Sequence, residues 1–501
     1  MKVIMVMFDS LRRDLLSVNG GPISCPNFER LANHSVQFNR CYAGSLPCMP
    51  ARRELHTGRY NFLHRGWGPL EPFDESMPEI LKNNEIYTHI STDHYHYEQD
   101  GGAGYLGRYS SYETHRGQES DAWQADLSLR GKDCTCMMQG FEYLSEENKK
   151  VKKQIAKNNQ ADREKMSKES DWPIFKTFDN GLNFLKKNGK EDQWFLQIET
   201  FDPHEPFFSP DSFQQRYLSP DEFNSPDWPC YTKVHETQSE IERMRRKYYA
   251  LASLCDCQLG RILDEMDQQN LWNETMLIVN TDHGFFLGEH DWWGKGSMPC
   301  FDGLVHLPFF VWDPRCRKEG ERRNSLVQTI DIAPTILDFF NLPIPKTMQG
   351  ASLKETIESD RPIHTYALFG YHGGPVGITD GRYKLLRAVQ NKGFLFEYTL
   401  MPMHMKNRFS IDEFSGMKLH EPFNFTKGVS VLQIPTISDN RFSKQQEIGG
   451  DLLFDLLNDP GEAFSINDPV LKEKMLKEMK IIMKASDAPI ELYERYGLGN
   501  E

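Results

Sequence analysis

Four places in the sequence hold residue types that do chemistry. Cys48-Met49-Pro50-Ala51-Arg52 sets a thiol just ahead of a proline and a guanidinium, with Thr57-Gly58-Arg59 a few residues on. A thiol preceding a helix start feels the positive end of the helix dipole, which favours its ionised form. Asp9 closes the apolar run Val3–Phe8. His204 follows the run 194–199, and Asp282 follows Met276–Asn280. Each of the three stands just past the carboxyl end of a predicted strand, where open α/β sheets collect their ligands. Their common placement points to one shared site.

The elements that must position these residues alternate. Val3–Phe8 reads as a buried strand, and Pro26 opens a helix with Phe28, Leu31 and Ala32 on one face. The strongest helical pattern is 239–270, where Ile241, Met244, Tyr248, Leu251, Cys255, Leu259, Ile262 and Met266 step by three or four. Helix followed by strand, repeated, predicts an α/β protein with a largely parallel sheet. Residues 141–170, rich in Lys, Glu and Asn, read as a solvated helical insertion without chemistry. Beyond about 375 the texture changes. Gly377–Arg387 reads as a strand pair, 392–450 shows no clear period, Leu452–Leu457 reads as a strand, and 469–484 as an amphipathic helix.

Composition narrows the function classes. The 501 residues carry 58 Lys and Arg against 72 Asp and Glu, a net charge of −14, so electrostatics argue against a nucleic-acid partner. With 39% hydrophobic and 26% charged residues the chain reads as globular. No apolar run approaches the ~18 residues of a membrane span. The first residues turn acidic too soon for a signal peptide, so the expected location is cytoplasmic, or periplasmic or secreted if a leader has been removed. The ten cysteines are scattered, and the Cys134/Cys136 and Cys255/Cys257 pairs lack the C-x-x-C spacing usual for zinc.

The C-x-P-x-R motif at 48–52, followed by Thr57-Gly58-Arg59, resembles the signature of the sulfatases, in which the cysteine is oxidised after translation to formylglycine. Phe8–Asp14 is similar to that family's first metal-binding turn, and Cys25–Ala32 to its first helix. Pro203-His204-Glu205-Pro206 resembles its P-H-x-P motif. Thr281-Asp282-His283-Gly284, with Gly288-Glu289-His290 and Gly294-Lys295-Gly296, resembles its second metal turn and sulfate-binding lysine. Asp331–Leu337 and Leu453–Glu462 resemble later landmarks, all in the family's order. The resemblance implies an alkaline-phosphatase-like fold: a mostly parallel sheet flanked by helices over 1–375, with a smaller α+β domain over 376–501.

By the same resemblance, Asp9, Cys48, Asp282 and His283 share one divalent metal. Hard oxygen donors favour Ca²⁺, with Mn²⁺ or Mg²⁺ as alternatives. The aldehyde at 48 is hydrated to a geminal diol. One hydroxyl attacks sulfur, and deprotonation of the second expels sulfate. Arg52 holds the diol and the metal turn, while His204 and Lys295 bind ester oxygens and assist the leaving group. The implied partners are a sulfate ester, small or carbohydrate, and the enzyme that generates formylglycine; nucleic acid and membrane are not expected.

Two departures from the pattern stand out. The first turn carries Asp9-Ser10 where many sulfatases have two aspartates, and the phosphonate and phosphodiester branch likewise makes do with one carboxylate there. The usual G-K-W-H stretch is replaced by Thr92-Asp93-His94-Tyr95-His96-Tyr97. His96 is preferred as the proton acceptor, and on a strand His94 and His96 would share a face. His94 and His372 are candidate substrate contacts. Two alternatives stay open: a phosphonate monoester or phosphodiester hydrolase on the same scaffold, and a carbohydrate-binding relic with unconverted Cys48.

Overall fold

The computed structural model describes residues 1–296, 298–393, 395–436 and 448–499. The eight-stranded main sheet runs, edge to edge, Glu321–Arg323, Val36–Phe38, Phe310–Trp312, Thr275–Thr281, Lys2–Phe8, Trp194–Thr200, Tyr87–Thr92 and Ser111–Thr114. From Thr275–Thr281 to Ser111–Thr114 all neighbours are parallel. Phe310–Trp312 is antiparallel to both of its neighbours. The sheet is therefore parallel where the chemistry lies and mixed at one flank.

Strand Lys2–Phe8 explains itself by alternation. Val3, Met5 and Met7 pack into one apolar cluster, and Ile4, Val6 and Phe8 into another on the opposite face. All six are at most 1% exposed. A strand buried on both faces reads as a continuous apolar run, as this one does. Each such side chain contributes about 1.5–3 kcal/mol of burial free energy.

Register then decides where the polar residues emerge. Phe8 pairs with Thr281 on one side and Thr200 on the other, while Thr92 pairs with Glu199. Four strands thus end level, and the residues after them share the carboxyl edge. The helix predicted at 239–270 spans Gln238–Gln268. It opens on Thr237, whose backbone N–H and hydroxyl both reach the Glu240 carboxylate. Its buried face also anchors the site: the Tyr248 hydroxyl accepts from Arg12 N (2.8 Å) and donates to Ser10 O (2.9 Å), pinning the turn after the first strand.

A second sheet of five strands contains Leu452–Asp455, Tyr383–Arg387, Val376–Thr379, Ala367–Tyr371 and Ser45–Leu46. The strand pair predicted at 377–387 is present, as is the helix Pro469–Ala485 packed beside it. Ser45–Leu46 joins this sheet just before Cys48, so the second sheet helps to place the cysteine. The aperiodic stretch after 392 forms three short strands, Phe396–Thr399, Lys418–His420 and Val431–Pro435; its residues 437–447 lie outside those described.

The insertion departs from expectation. Its helix, Glu146–Arg163, does not lie free in solvent: Ala156, Asn159, Ala161 and Asp162 are buried. Arg163 makes two 2.8 Å bonds to Asp227, and Asn159 donates to the Glu119 carbonyl at 2.6 Å. Small and amide residues close to the neighbouring chain replaced the apolar stripe that periodicity looks for. Among the described residues no helix is long and apolar enough to cross a membrane.

Candidate active site

Cys48 is the first residue of helix Cys48–Thr57, every residue of which is buried. The helix is locked from below. The Glu54 carboxylate accepts from Ser45 N (2.6 Å) and from the Thr329 hydroxyl, and burial pushes its carboxyl up to about 7. Residue 44 must be glycine, since a Cβ there would stand 2.4 Å from that carboxylate. One helical turn puts Arg52 on the face of Cys48. Its Nη1 donates to the Cys48 carbonyl (3.0 Å) and Asp282 (2.7 Å), its Nε to Glu199 (2.6 Å), and its Nη2 stands 3.1 Å from Asp9. One fully buried guanidinium therefore ties together three strand ends and the helix.

Asp9, Cys48, Asp282 and His283 converge, with one donor atom from each lying within 4.8 Å of the others. His283 Nε2 is 3.3 Å from Cys48 Sγ, while its Nδ1 hydrogen bonds the Gly284 carbonyl at 2.8 Å, which leaves Nε2 free to act as a ligand. Burial holds this imidazole below its usual pKa and thus neutral. Asp282 Oδ1 accepts from the backbone N–H groups of Ser10 (3.0 Å) and His283 (2.8 Å). Burial alone would raise the Asp9 carboxyl, but Lys295 and Arg52 hold it well below the usual range. Asp9 Oδ2 accepts no hydrogen bond and faces the Arg52 guanidinium as an ion pair at 3.1 Å. Two converging carboxylates and a neutral imidazole with its second nitrogen anchored fit a divalent cation. Ser10, in a left-handed conformation (φ 65°), stands where a second aspartate would add charge and donates its hydroxyl to Asp9 at 2.7 Å.

Lys295 follows the short hairpin Phe286–Leu287/Trp293–Gly294. Its ammonium lies 2.9 Å from Ser10 Oγ, 3.2 Å from Cys48 Sγ and 3.4 Å from Asp9. Burial and the Asp9 carboxylate push the Cys48 thiol well above its ordinary pKa. The helix-dipole activation expected from sequence is thus overridden, and the thiol stays protonated. His204 sits on the Phe201 ring (centroids 3.9 Å apart), with Nδ1 2.6 Å from the Glu205 carbonyl and 3.0 Å from the Glu205 carboxylate. Burial and Lys295 lower its pKa well below the usual value.

These groups open onto a cavity of about 640 Å³. Cys48, His96, His204 and Lys295 line its floor. Its walls include Trp67 and Glu119, Lys152 from the insertion, and Lys406 and Phe409 from the aperiodic stretch. His94 and His96 do not share a strand face as expected. The strand ends at Thr92 and the chain turns through a 3-10 helix, Tyr95–Glu98. The two rings diverge by 52°: His96 faces the cavity, whereas His94 turns under it, 3.8 Å from Asp9, with neither ring nitrogen hydrogen bonded. His372 is not brought to the cavity; it is buried behind, with Nδ1 bonded to the Phe62 carbonyl at 2.9 Å. The sequence reading missed Glu199, Glu119, Lys152 and Lys406. Glu199 had a usable signal, being a carboxylate near the end of a wholly buried, mostly apolar strand.

A largely parallel sheet thus carries a buried thiol and a carboxylate–imidazole cluster at its carboxyl edge, the place where open α/β folds collect their ligands. The Sulfatase family model matches residues 2–342, more than half of the chain, and a model for the C-terminal region of N-sulphoglucosamine sulphohydrolase matches 288–422. The chain belongs to the sulfatase family. It is 24% identical over 397 residues to an arylsulfatase of Clostridium perfringens, covering 74% of this chain and 81% of that one. Among solved structures it resembles a protein in complex with its substrate D-glucosamine-2-N,6-O-disulfate (TM-score 0.63, 15% identity, 97% of each chain). It also resembles the phosphonate monoester hydrolase of Agrobacterium radiobacter (TM-score 0.63, 18% identity, 97% and 95% of the two chains).

Proposed function

We propose that this sulfatase cleaves sulfate esters of a carbohydrate, with Cys48 converted to formylglycine by a maturation enzyme. The observation that carries this is the convergence of Cys48 with Asp9, Asp282, His283 and Lys295 in one buried cluster. A protonated thiol in that place is a poor nucleophile; a hydrated aldehyde offers one hydroxyl to attack and a second to expel the product. Asp9, Asp282, His283 and the residue-48 side chain would hold a divalent cation, which when bound would withdraw charge from the ester oxygens.

The remaining steps belong to the chain's own groups. Lys295 neutralises the incoming sulfate, and that anion in turn offsets the charge that keeps His204 neutral. His204 then hands a proton to the departing sugar oxygen, with its ring held by Glu205. The second hydroxyl of residue 48 then gives its proton to His96, its C–O becomes the aldehyde C=O, and the other C–O bond breaks to release sulfate. Arg52 keeps the helix start in register with the strand ends throughout. Trp67 and Phe409, which line the cavity together with Glu119, Glu397 and Glu413, suit a hydroxylated ring.

The test has two arms. Peptide mass spectrometry at residue 48, on protein made with a formylglycine-generating enzyme, should show aldehyde in place of thiol. A panel of sulfated sugars, aryl sulfates, phosphonate monoesters and phosphodiesters should give kcat/KM at least about tenfold higher for a sulfate ester. A phosphonate or phosphodiester preference overturns the substrate assignment. An unconverted thiol with full turnover overturns the formylglycine.

A further inference from the structure

The insertion contributes a charged side chain to the cavity that the hydrolytic reaction does not use. Lys152 projects from helix Glu146–Arg163 into the cavity wall, its ammonium 5.0 Å from the centroid of the buried Trp228 ring and 5.9 Å from that of Tyr231. Tyr231 donates to Glu205 (2.5 Å), the neighbour of His204, so Lys152 stands one aromatic side chain away from the leaving-group end of the site. The aromatic faces fix its position without neutralising its charge.

The acids around it are already engaged. Glu205 has Tyr231 and His204, Glu413 pairs with His404 at 2.6 Å, and Glu397 with Arg65 at 4.0 Å. Glu119 accepts from the Tyr95 hydroxyl. Among the described residues Lys152 makes no direct ion pair; its charge reaches Glu119 and Glu205 only at longer range. The surrounding structure is built to hold the lysine there. Its helix is fastened to the cavity wall through Asn159 to the Glu119 carbonyl, Asp162 to Gln124 N (3.0 Å), and Arg163 to Asp227. Glu119 itself is held in a left-handed conformation (φ 45°), the kind of backbone strain that persists where surroundings enforce it.

We propose that Lys152 is a specificity-determining residue that binds a second anionic substituent of the substrate, a sulfate or a carboxylate on the same or the adjoining sugar. This rests on the sulfatase reading and narrows its substrate from sulfated to doubly anionic carbohydrate. A held ammonium that feels Glu119 and Glu205 only at longer range, with no direct ion pair, gains a contact partner on binding and loses little side-chain freedom, so it discriminates for the anion.

Calorimetric binding of three ligands to the wild-type protein and to Lys152→Gln tests this: N-acetylglucosamine 6-sulfate, glucosamine 2-N,6-O-disulfate, and glucuronate 2-sulfate. The wild type should bind one of the doubly anionic ligands about tenfold more tightly than the monosulfate, and Lys152→Gln should abolish the preference. Which ligand gains tells sulfate from carboxylate. Turnover of 4-nitrophenyl sulfate, which has no second anion, should stay within about twofold in the variant. Equal wild-type affinity for all three ligands, absent binding included, or a preference that survives the substitution, overturns the proposal. Loss of 4-nitrophenyl sulfate turnover in the wild type would instead speak against the sulfatase mechanism, and the binding arm does not depend on it.

Discussion

At the floor of the cavity Arg52 meets Glu199, Asp282 and Asp9 at 2.6–3.1 Å with no exposure of any of the four side chains, and parallel strands of matched register deliver those acids. The wall is made differently. Lys406 and Asn407 are exposed residues of a segment with little regular structure, Lys152 is half-buried on an inserted helix, and Trp67 lies in a loop. Ion pairs stripped of water tolerate little displacement, because a lost partner leaves an uncompensated charge. A wall of aromatic rings and solvated lysines can change one residue at a time. The contrast separates two tasks. On the proposed reading the sheet sets what bond is broken, and the inserted helix and the loops set which molecule is held.

Replacing residue 48 is the severest challenge to the floor. Cys48→Ala should fold normally, since the position opens a helix and a small side chain fits there, yet lose about 10⁴-fold or more in kcat, because nucleophile, acid and charge act as one unit. Cys48→Ser can attack but lacks the second hydroxyl. Incubated with an active sulfate ester it should accumulate a stable sulfated peptide at residue 48, read by mass. Full multiple turnover from a serine shown to be unmodified would move the protein toward a phosphatase-like mechanism.

His204 tests whether the boundary between floor and wall is where the leaving group sits. His204→Gln removes the proton donor, and kcat should fall about 10²–10³-fold for an alkyl sulfate ester. For an aryl ester, whose oxygen leaves with little need of a proton, the loss should be several-fold only. Equal losses across a series of leaving groups would show that His204 binds or supports structure and does not protonate.

The same division decides what could be read in the amino-acid sequence. Val3–Phe8, 194–199 and Met276–Asn280 were legible as strands because burial on both faces keeps them largely apolar, and Asp9, His204 and Asp282 were legible because they stand at or shortly past the ends of those runs. Arg52 was legible through its motif, but its meeting with Glu199 depends on the register of a strand nearly 150 residues away. Local pattern carries no register. Nor does it carry turn geometry, so His94 and His96 were assigned one face when the chain had already left the strand. Lys152 was illegible for a third reason: its helix docks through Asn159, Asp162 and Arg163, residues whose composition reads as solvated.

Trp67 gives the smallest expected effect and the finest test of the wall. Its ring meets His96 edge-on with centroids 5.0 Å apart, and it lines the cavity above the floor residues. A ring in that place can stack against a sugar without touching the sulfur. Trp67→Ala should therefore raise KM for a sulfated sugar by about tenfold, the value of one aromatic contact, while kcat changes by less than about twofold. For 4-nitrophenyl sulfate, held mainly by its sulfate, the rise in KM should be smaller. The split matters because His96 lies between the two regions. If Trp67 also orients His96 for proton transfer, kcat falls with the ring, and its pH profile shifts as the His96 environment opens to water. A fall in kcat for both substrates, with KM unchanged, would place Trp67 with the floor and push the division between chemistry and selection outward, to Phe409 and Lys152.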